Sequence, residues 1–351
     1  MILPGGFRRI ASIVLIAASA CDCFGETLVT RDGKQISGTI GGVYGPLVLV
    51  TGKGTSRLVP VEQLDDTSLG RVAASRNQGA PSATDWAASN SPVAQALRGK
   101  LTQLNNGKLV DYTMPGPEPE FYLVYFSAHW CGPCRRFTPG LIEEYKKLKE
   151  GPAAARFEMI FVSNDNDADE QRAYITSQSM PWPAVKYTAL GRVRLLEKWA
   201  GPGIPCLVVV NREGDVLFHS YSGDTYLGPQ AALDAFKSLL PLLDPNSAMT
   251  RRAWYRSARH DWLQVHRGGD VAPSAYFVSL DRQKYPVARK VDLTVTVEVD
   301  AEGHVVDVVP SDDGLSEFSS HLRRDARDWL FLPAVHGGQP VAGRATILLQ
   351  L

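Results

Sequence analysis

Along the chain the spacing of apolar positions changes character several times. From residue 26 to 64 (ETLVTRDGKQISGTIGGVYGPLVLVTGKGTSRLVPVEQL), short β-branched runs alternate with turns at Asp32-Gly33, Gly41-Gly42 and Gly52-Lys53-Gly54. That pattern predicts four or five short strands, a small β-rich module over 26–70. So few residues bury little apolar area, and the module needs a neighbour. Residues 71–99 are rich in Ala, Ser, Asn and Gln, with Pro81 and Pro92, and read as a linker with one short helix. The texture then becomes more apolar. FYLVYFSA (121–128) is an unbroken run suited to a buried strand, and the segment from Pro133 to Glu150 has helical spacing. RFEMIFVSND (156–165) and DEQRAYITSQ (169–178) repeat the strand and helix. CLVVVNREGDVLFHSYSG (206–223) predicts a hairpin turning at Glu213-Gly214, and QAALDAFKSLLPLL (230–243) a closing helix. This order predicts an α/β domain over 100–243, a mixed sheet with helices on both faces.

Beyond Asp244-Pro245-Asn246, RRAWYRSARHDWLQVH (251–266) predicts a helix with Trp254, Ala258, Trp262 and Val265 on one face. Its arginines read as a solvated face, because no glycine-rich cradle for an anion accompanies them. DLTVTVEVDAEGHVVDVVP (292–310) predicts strand, turn and strand, SEFSSHLRRDARDWLFLPA (316–334) a helix, and ATILLQL (345–351) a last strand. Together these predict an α+β domain over 251–351.

Composition narrows the function classes. The 351 residues include 37 basic and 37 acidic side chains and are 44% hydrophobic, which suits two or three globular domains. A formal charge of zero removes the field that a nucleic-acid or anionic-surface binder carries, so neither partner is expected. Residues 1–25 read as a signal peptide. Arg8 and Arg9 precede an uncharged apolar stretch, Ile10 to Ala20, that ends in Ala18-Ser19-Ala20 and is too short to span a bilayer comfortably. The mature chain is therefore expected in the periplasm or otherwise outside the cytoplasm, where disulfides persist. Membrane attachment is expected only if Cys21 is lipidated or the signal stays uncleaved.

The cysteines are Cys21, Cys23, Cys131, Cys134 and Cys206. An odd, sparse set excludes a dense disulfide framework. Zinc would require further ligands, and no second C-x-x-C or H-x-x-x-H follows, so no metal and no bound cofactor are expected. Asp165, Asp167 and Asp169 imitate the start of a calcium loop, but Glu170 stands where that loop turns on glycine. Cys206 reads as a buried free thiol at a strand start and His129 as a solvent-facing loop residue.

Cys131 and Cys134 carry the candidate chemistry. With Cys131 at the N-cap of the helix that opens Gly132-Pro133, its sulfur faces unpaired backbone N–H groups and the positive end of the helix dipole, which favour a thiolate. Pro133 fits the first turn, where no internal bond needs its missing N–H. Cys134, one turn in, is within reach of the Cys131 sulfur and less accessible. Lowering a thiol pKa from about 8.5 to about 7 raises the thiolate fraction roughly fifteenfold at neutral pH, but a Brønsted slope near 0.45 returns about fivefold of that. The thiolate therefore matters as much as a leaving group as it does as a nucleophile.

YFSAHWCGPCRRFTP (125–139), FVSNDNDADEQRAYITSQSMPWPAV (161–185) and GIPCLVVVNREGDVL (203–217) resemble the thioredoxin superfamily, more narrowly its tryparedoxin and nucleoredoxin branch, over about 100–243. The resemblance implies Cys131 as nucleophile, Cys134 as resolving thiol, Trp130 as a partial shield and Gly132-Pro133 as the spacer. It also implies Pro205 as a cis-proline, with the Ile204 backbone pairing to an extended substrate strand, and Pro139 inside the active-site helix. Two features depart from the pattern. Tyr125 stands where many thioredoxins bury an aspartate, so deprotonation of Cys134 has to use water or another group. Gly132-Pro133 is thioredoxin's own pair, where the branch often has Pro-Pro, and this favours a reductant. Tyr285-Pro286, VTVEVDAEGHVVDV, DWLFLPA (328–334) and GGQPV (337–341) resemble the TonB C-terminal domain over about 276–351, which implies docking to an envelope protein. Trp329, Phe331 and Pro333 are expected in its core. The expected activity is thiol-disulfide exchange with protein substrates, fed by a thiol reductant. The competing expectation is a scaffold that uses only its terminal domains.

Overall fold

The computed structural model describes residues 26–52, 55–78, 84–280, 284–285, 292–310 and 319–350. The signal segment with Cys21 and Cys23 lies outside them, as does Pro286. Four strands, β1 (Glu26–Val29), β2 (Gln35–Tyr44), β3 (Leu47–Gly52) and β4 (Thr55–Pro60), form an antiparallel meander in that order. Gly45 turns β2 into β3 at φ 58°, and a Cβ there would fall 1.9 Å from the Leu242 carbonyl oxygen, so only glycine lets the chain approach that closely. Leu28, Ile36, Val48, Val50 and Val59 form the buried face, which Trp254 from far along the chain completes.

In the stretch expected as a linker, the described residues are largely helical. Helix α1 (Asp66–Gln78) buries Leu69 and Val72 against the meander, and α2 (Pro92–Leu97) buries Val93, Ala94 and Leu97 in the core of the following sheet together with Trp86. The average composition is polar, yet its few apolar residues fall at helical intervals on one face, and Ser91 caps α2 by accepting from the Ala94 N–H at 3.0 Å.

The large sheet contains β5 (Leu101–Asn105), β6 (Lys108–Tyr112), β7 (Phe121–Ser127), β8 (Phe157–Ser163), β9 (Ala184–Val185), β10 (Cys206–Asn211) and β11 (Val216–His219). Their spatial order is β11-β10-β7-β8-β9-β5-β6, with β7 parallel to β8 and β8 parallel to β9, and the other pairs antiparallel. Alternation along β7 sends Phe121, Leu123 and Tyr125 to one face and Tyr122, Val124 and Phe126 to the other. Helices α3 (Gly132–Glu150) and α4 (Ala168–Gln178) cover the first face, and α5 (Leu195–Trp199) joins α2 on the second. A two-stranded hairpin, β12 (Tyr221–Ser222) and β13 (Thr225–Tyr226), precedes α6 (Pro229–Leu239), which also packs on the first face. The mixed sheet with helices on both faces is as expected.

Helix α7 (Ala248–Val265) follows, then β14 (Ser274–Phe277), β15 (Asp292–Val299), β16 (Val305–Pro310), α8 (Ser319–Ala326), β17 (Leu330–Leu332), β18 (Ala334–His336), β19 (Gln339–Val341) and β20 (Gly343–Gln350). The helix expected over 316–334 ends at Ala326, and Leu330–Leu332 instead pairs with β14. The cause is a change of period: Trp329, Phe331 and Pro333 are all buried, every second residue, which a strand satisfies and a helix cannot. The expected apolar face of α7 also differs. Trp254 is buried, but Val265 is 78% exposed, because the helix passes between two modules and buries a different side in each. Trp254 Nε1 donates to the Gly45 carbonyl at 2.9 Å, while the Tyr255 hydroxyl lies 2.6 Å from both the Glu302 and the Phe331 carbonyl oxygens, which share its one proton. Its arginines are not simply solvated. Arg256 holds the Leu64 carbonyl and Asp66, Arg259 the Ala301 carbonyl, and Arg251 the Tyr276 carbonyl.

Candidate active site

Strand β7, flanked by β10 and β8 in the interior of the large sheet, delivers the chain into Ala128-His129-Trp130, from which α3 starts. Cys131 is the N-cap of α3, and its Sγ accepts from the Cys134 N–H at 3.2 Å, which places the sulfur on the unpaired amides of the first turn. Cys131 and Cys134 form a disulfide, S–S 2.12 Å with Cα atoms 5.2 Å apart. The two sulfurs differ in access. Cys131 retains 5% exposure and Cys134 none, so an external thiol or disulfide meets Cys131 first.

Neighbouring segments fix this loop in place. The His129 N–H donates to Asp165 Oδ1 at 2.6 Å, and Trp130 Nε1 donates to the Asn164 carbonyl at 3.2 Å, with Trp130 57% exposed next to Cys131 in the chain. On the other side Ile204-Pro205 is a cis peptide, and the Ile204 carbonyl oxygen is 3.9 Å from Cys131 Sγ. The structure thus brings Trp130, Cys131, Gly132, Pro133, Cys134, Ile204 and Pro205 to one place. Pro139 lies inside α3.

Three features were not legible as parts of this site. Asp165, which resembled the start of a calcium loop, instead holds the His129 amide and the Ser163 hydroxyl, the latter at 2.7 Å. Burial pushes its carboxyl above the ordinary range despite those hydrogen bonds. Asp167 caps α4 by accepting from the Asp169 and Glu170 N–H groups. The second feature is a set of buried hydroxyls behind the resolving cysteine. Tyr125 shares a hydrogen bond with Thr138 at 2.9 Å, Thr138 donates to the Cys134 carbonyl at 2.9 Å, and Tyr174 bonds to both Thr138 and Ser127. Burial pushes the Tyr125 phenol far above its ordinary value, so it serves as a neutral hydroxyl. The third is Tyr226, whose hydroxyl donates to the Pro205 carbonyl at 2.8 Å.

Cys206 is buried and projects to the sheet face opposite α3, among Val124, Val208 and Trp199. Burial raises its thiol pKa, which keeps it protonated and unreactive.

This fold and dithiol define a thioredoxin-like domain, and a family model for thioredoxin-like proteins matches residues 119–216. The chain is similar to nucleoredoxins. It is 40% identical to nucleoredoxin of Bos taurus over 127 residues, 36% of this chain and 28% of that protein. It is 42% identical to probable nucleoredoxin 1 of Arabidopsis thaliana over 111 residues, 29% of this chain and 18% of that protein. Native tryparedoxin I from Crithidia fasciculata aligns at 32% identity with a TM-score of 0.29, covering 36% of this chain and 84% of that one. The chain therefore spans less than a third of the length of the nucleoredoxins it matches.

Proposed function

We propose that this protein is a thiol-disulfide oxidoreductase of the cell envelope, working as a reductant of protein disulfides through Cys131 and Cys134. The observation that supports it is the unequal access of the two sulfurs at the start of α3, with the Ile204 backbone alongside the accessible one. In the reduced protein, the Cys131 thiolate attacks one sulfur of a substrate disulfide, and the other substrate sulfur leaves as a thiol after taking a proton from solvent. Cys134 then attacks the Cys131 sulfur, forms the disulfide seen here and releases the second substrate thiol. Two electrons have moved to the substrate, and a thiol reductant returns them to the Cys131–Cys134 disulfide. The module ending at β20 serves, on its resemblance to the TonB C-terminal domain, to dock an envelope protein.

The decisive measurement is the reduction potential of the Cys131–Cys134 couple against glutathione. A value nearer about −270 mV than about −120 mV is expected, and the reverse would reassign the protein as an oxidase. The envelope assignment has its own check. Residues 1–25 fused to a reporter active only outside the cytoplasm are expected to export it, and a silent reporter would remove that part of the reading.

A further inference from the structure

The three modules meet at a cleft whose charges the fold leaves unbalanced. Strands β7 and β8 begin, and β10 ends, at the end of the large sheet opposite the dithiol, roughly 20 Å from it along β7. There Glu120, Arg156 and Arg212 line a cavity of about 520 Å³ together with the β2–β3 turn, Arg76 of α1 and Thr250 of α7. A smaller hollow of about 250 Å³ shares Arg76 and Thr250 with it and adds Arg251, Trp254 and Tyr276. Four guanidinium groups thus line one cleft, against a single carboxylate among its lining residues. That carboxylate, Glu120, is already held by Arg156 at 2.6 and 2.9 Å. Arg212 donates to the Pro119 and Glu118 carbonyls, with the Glu118 carboxylate 3.9 Å away. Arg251 meets only neutral oxygens, the Tyr276 carbonyl at 3.1 Å and Asn246 Oδ1 at 3.3 Å. Among the described residues, the Arg76 side chain has no ion pair and no hydrogen bond. Its guanidinium lies 4.8 Å from the centroid of the Trp254 ring, so it is held in position with its donors unused. Burial raises the pKa of the Tyr276 phenol, and Arg251 and Arg76 both oppose that rise, which places the two charges around one point.

Cations gathered in one cleft repel each other, and the chain has as many acidic as basic side chains with which to neutralise them. Elsewhere on α7 it does so, as in the pair of Arg252 with Asp328 at 2.9 Å. We propose that this cleft binds a small anion with two or more negative charges, a phosphate or a polycarboxylate, held chiefly between Arg76 and Arg251. The planar fork of a guanidinium matches the oxygens of either group, and the volume suits a small molecule, being within the range of about 300 to 1,000 Å³ usual for such sites. The anion bridges α1 to α7 and so stabilises the junction of the modules by mass action. No residue of the dithiol site lines the cleft.

Isothermal titration calorimetry of the full chain with pyrophosphate, and separately with citrate, tests this at an ionic strength held constant with sodium chloride. Saturable binding of at least one of the two is expected, pyrophosphate alone assigning a phosphate ligand and citrate alone a carboxylate one. Arg76→Gln and Arg251→Gln should each weaken that binding roughly tenfold, the loss of one charge-assisted contact. Arg76→Lys, which keeps the charge and loses the fork, should weaken it less than Arg76→Gln. Arg323→Gln, which removes a guanidinium on α8 that pairs with Asp307 outside the cleft, should leave it unchanged. Arg76 is exposed, so its variants should fold, and far-UV circular dichroism checks that they do. Absence of saturable binding with both anions, or binding that Arg76→Gln combined with Arg251→Gln leaves within about twofold of the wild type, overturns the site. Either result leaves the reductase reading in place, because the calorimetry does not involve the dithiol.

Discussion

Cys131→Ser is expected to lower disulfide-exchange turnover at least roughly a thousandfold, whereas Cys134→Ser should halt the same cycle at its midpoint. The difference follows from the access of the two sulfurs. A serine hydroxyl at 131 stays protonated at neutral pH and cannot form the sulfur–sulfur bond. Cys134 cannot replace it, because it has no exposed surface and lies under the first turn of α3. In Cys134→Ser the attacking thiolate is intact, but nothing resolves its product, and a covalent complex with the substrate protein accumulates until dithiothreitol releases it. Insulin reduction followed by turbidity gives the first result, and non-reducing electrophoresis of envelope extract gives the second. Cys206 supplies the control: buried on the other face of the sheet, it should leave both outcomes unchanged when replaced by alanine. Retained turnover in Cys131→Ser, or complexes that form through Cys206, would sink the assignment.

What the sequence disclosed, and what it hid, follows from how far apart in the chain the interacting groups lie. The position of Cys131 at a helix start was readable locally, because Gly132 and Pro133 next to it are the residues a first turn tolerates and the helical spacing begins there. Pro205 came from resemblance rather than from spacing, and the structure places it beside Cys131 from 74 residues away. Asp165 and Tyr226 could not be read this way. The His129 to Asp165 bond spans 36 residues and the Tyr226 to Pro205 bond 21, and no periodicity links such pairs. Over 316–334 the error had another origin. The alternation of Trp329, Phe331 and Pro333 fits a strand, but it covers too few residues to stand out from the helical spacing of the eight residues Ser319–Ala326 just ahead of it.

The segment 71–99 shows why average composition misleads, and Trp86→Ala tests the alternative directly. Trp86 is completely buried, its Nε1 donates to the Tyr122 hydroxyl at 3.1 Å, and the Arg98 guanidinium lies 5.8 Å from the ring centroid. Tyr122 in turn donates to Glu118 at 2.8 Å, and Glu118 accepts from Ser89 and Ser91, so a buried polar network surrounds the indole on the sheet face opposite the α3 face. Truncation to alanine removes a ring from this packing and leaves a cavity that these bonded neighbours cannot readily fill. The expected destabilisation is about 3 to 5 kcal/mol, a large share of the stability of an ordinary domain. Trp86→Phe, which keeps most of the volume but loses the N–H donor, should lose less, about 1 to 2 kcal/mol. Urea unfolding followed by the disulfide-reducing activity measures both, since the dithiol depends on the sheet that Trp86 braces. If Trp86→Ala shifted the unfolding midpoint no more than an exposed substitution does, the segment would be a tether after all. A ring sealed from water on a central sheet predicts the opposite, because packing in a folded chain is set by which few residues are buried and not by how polar their neighbours are on average.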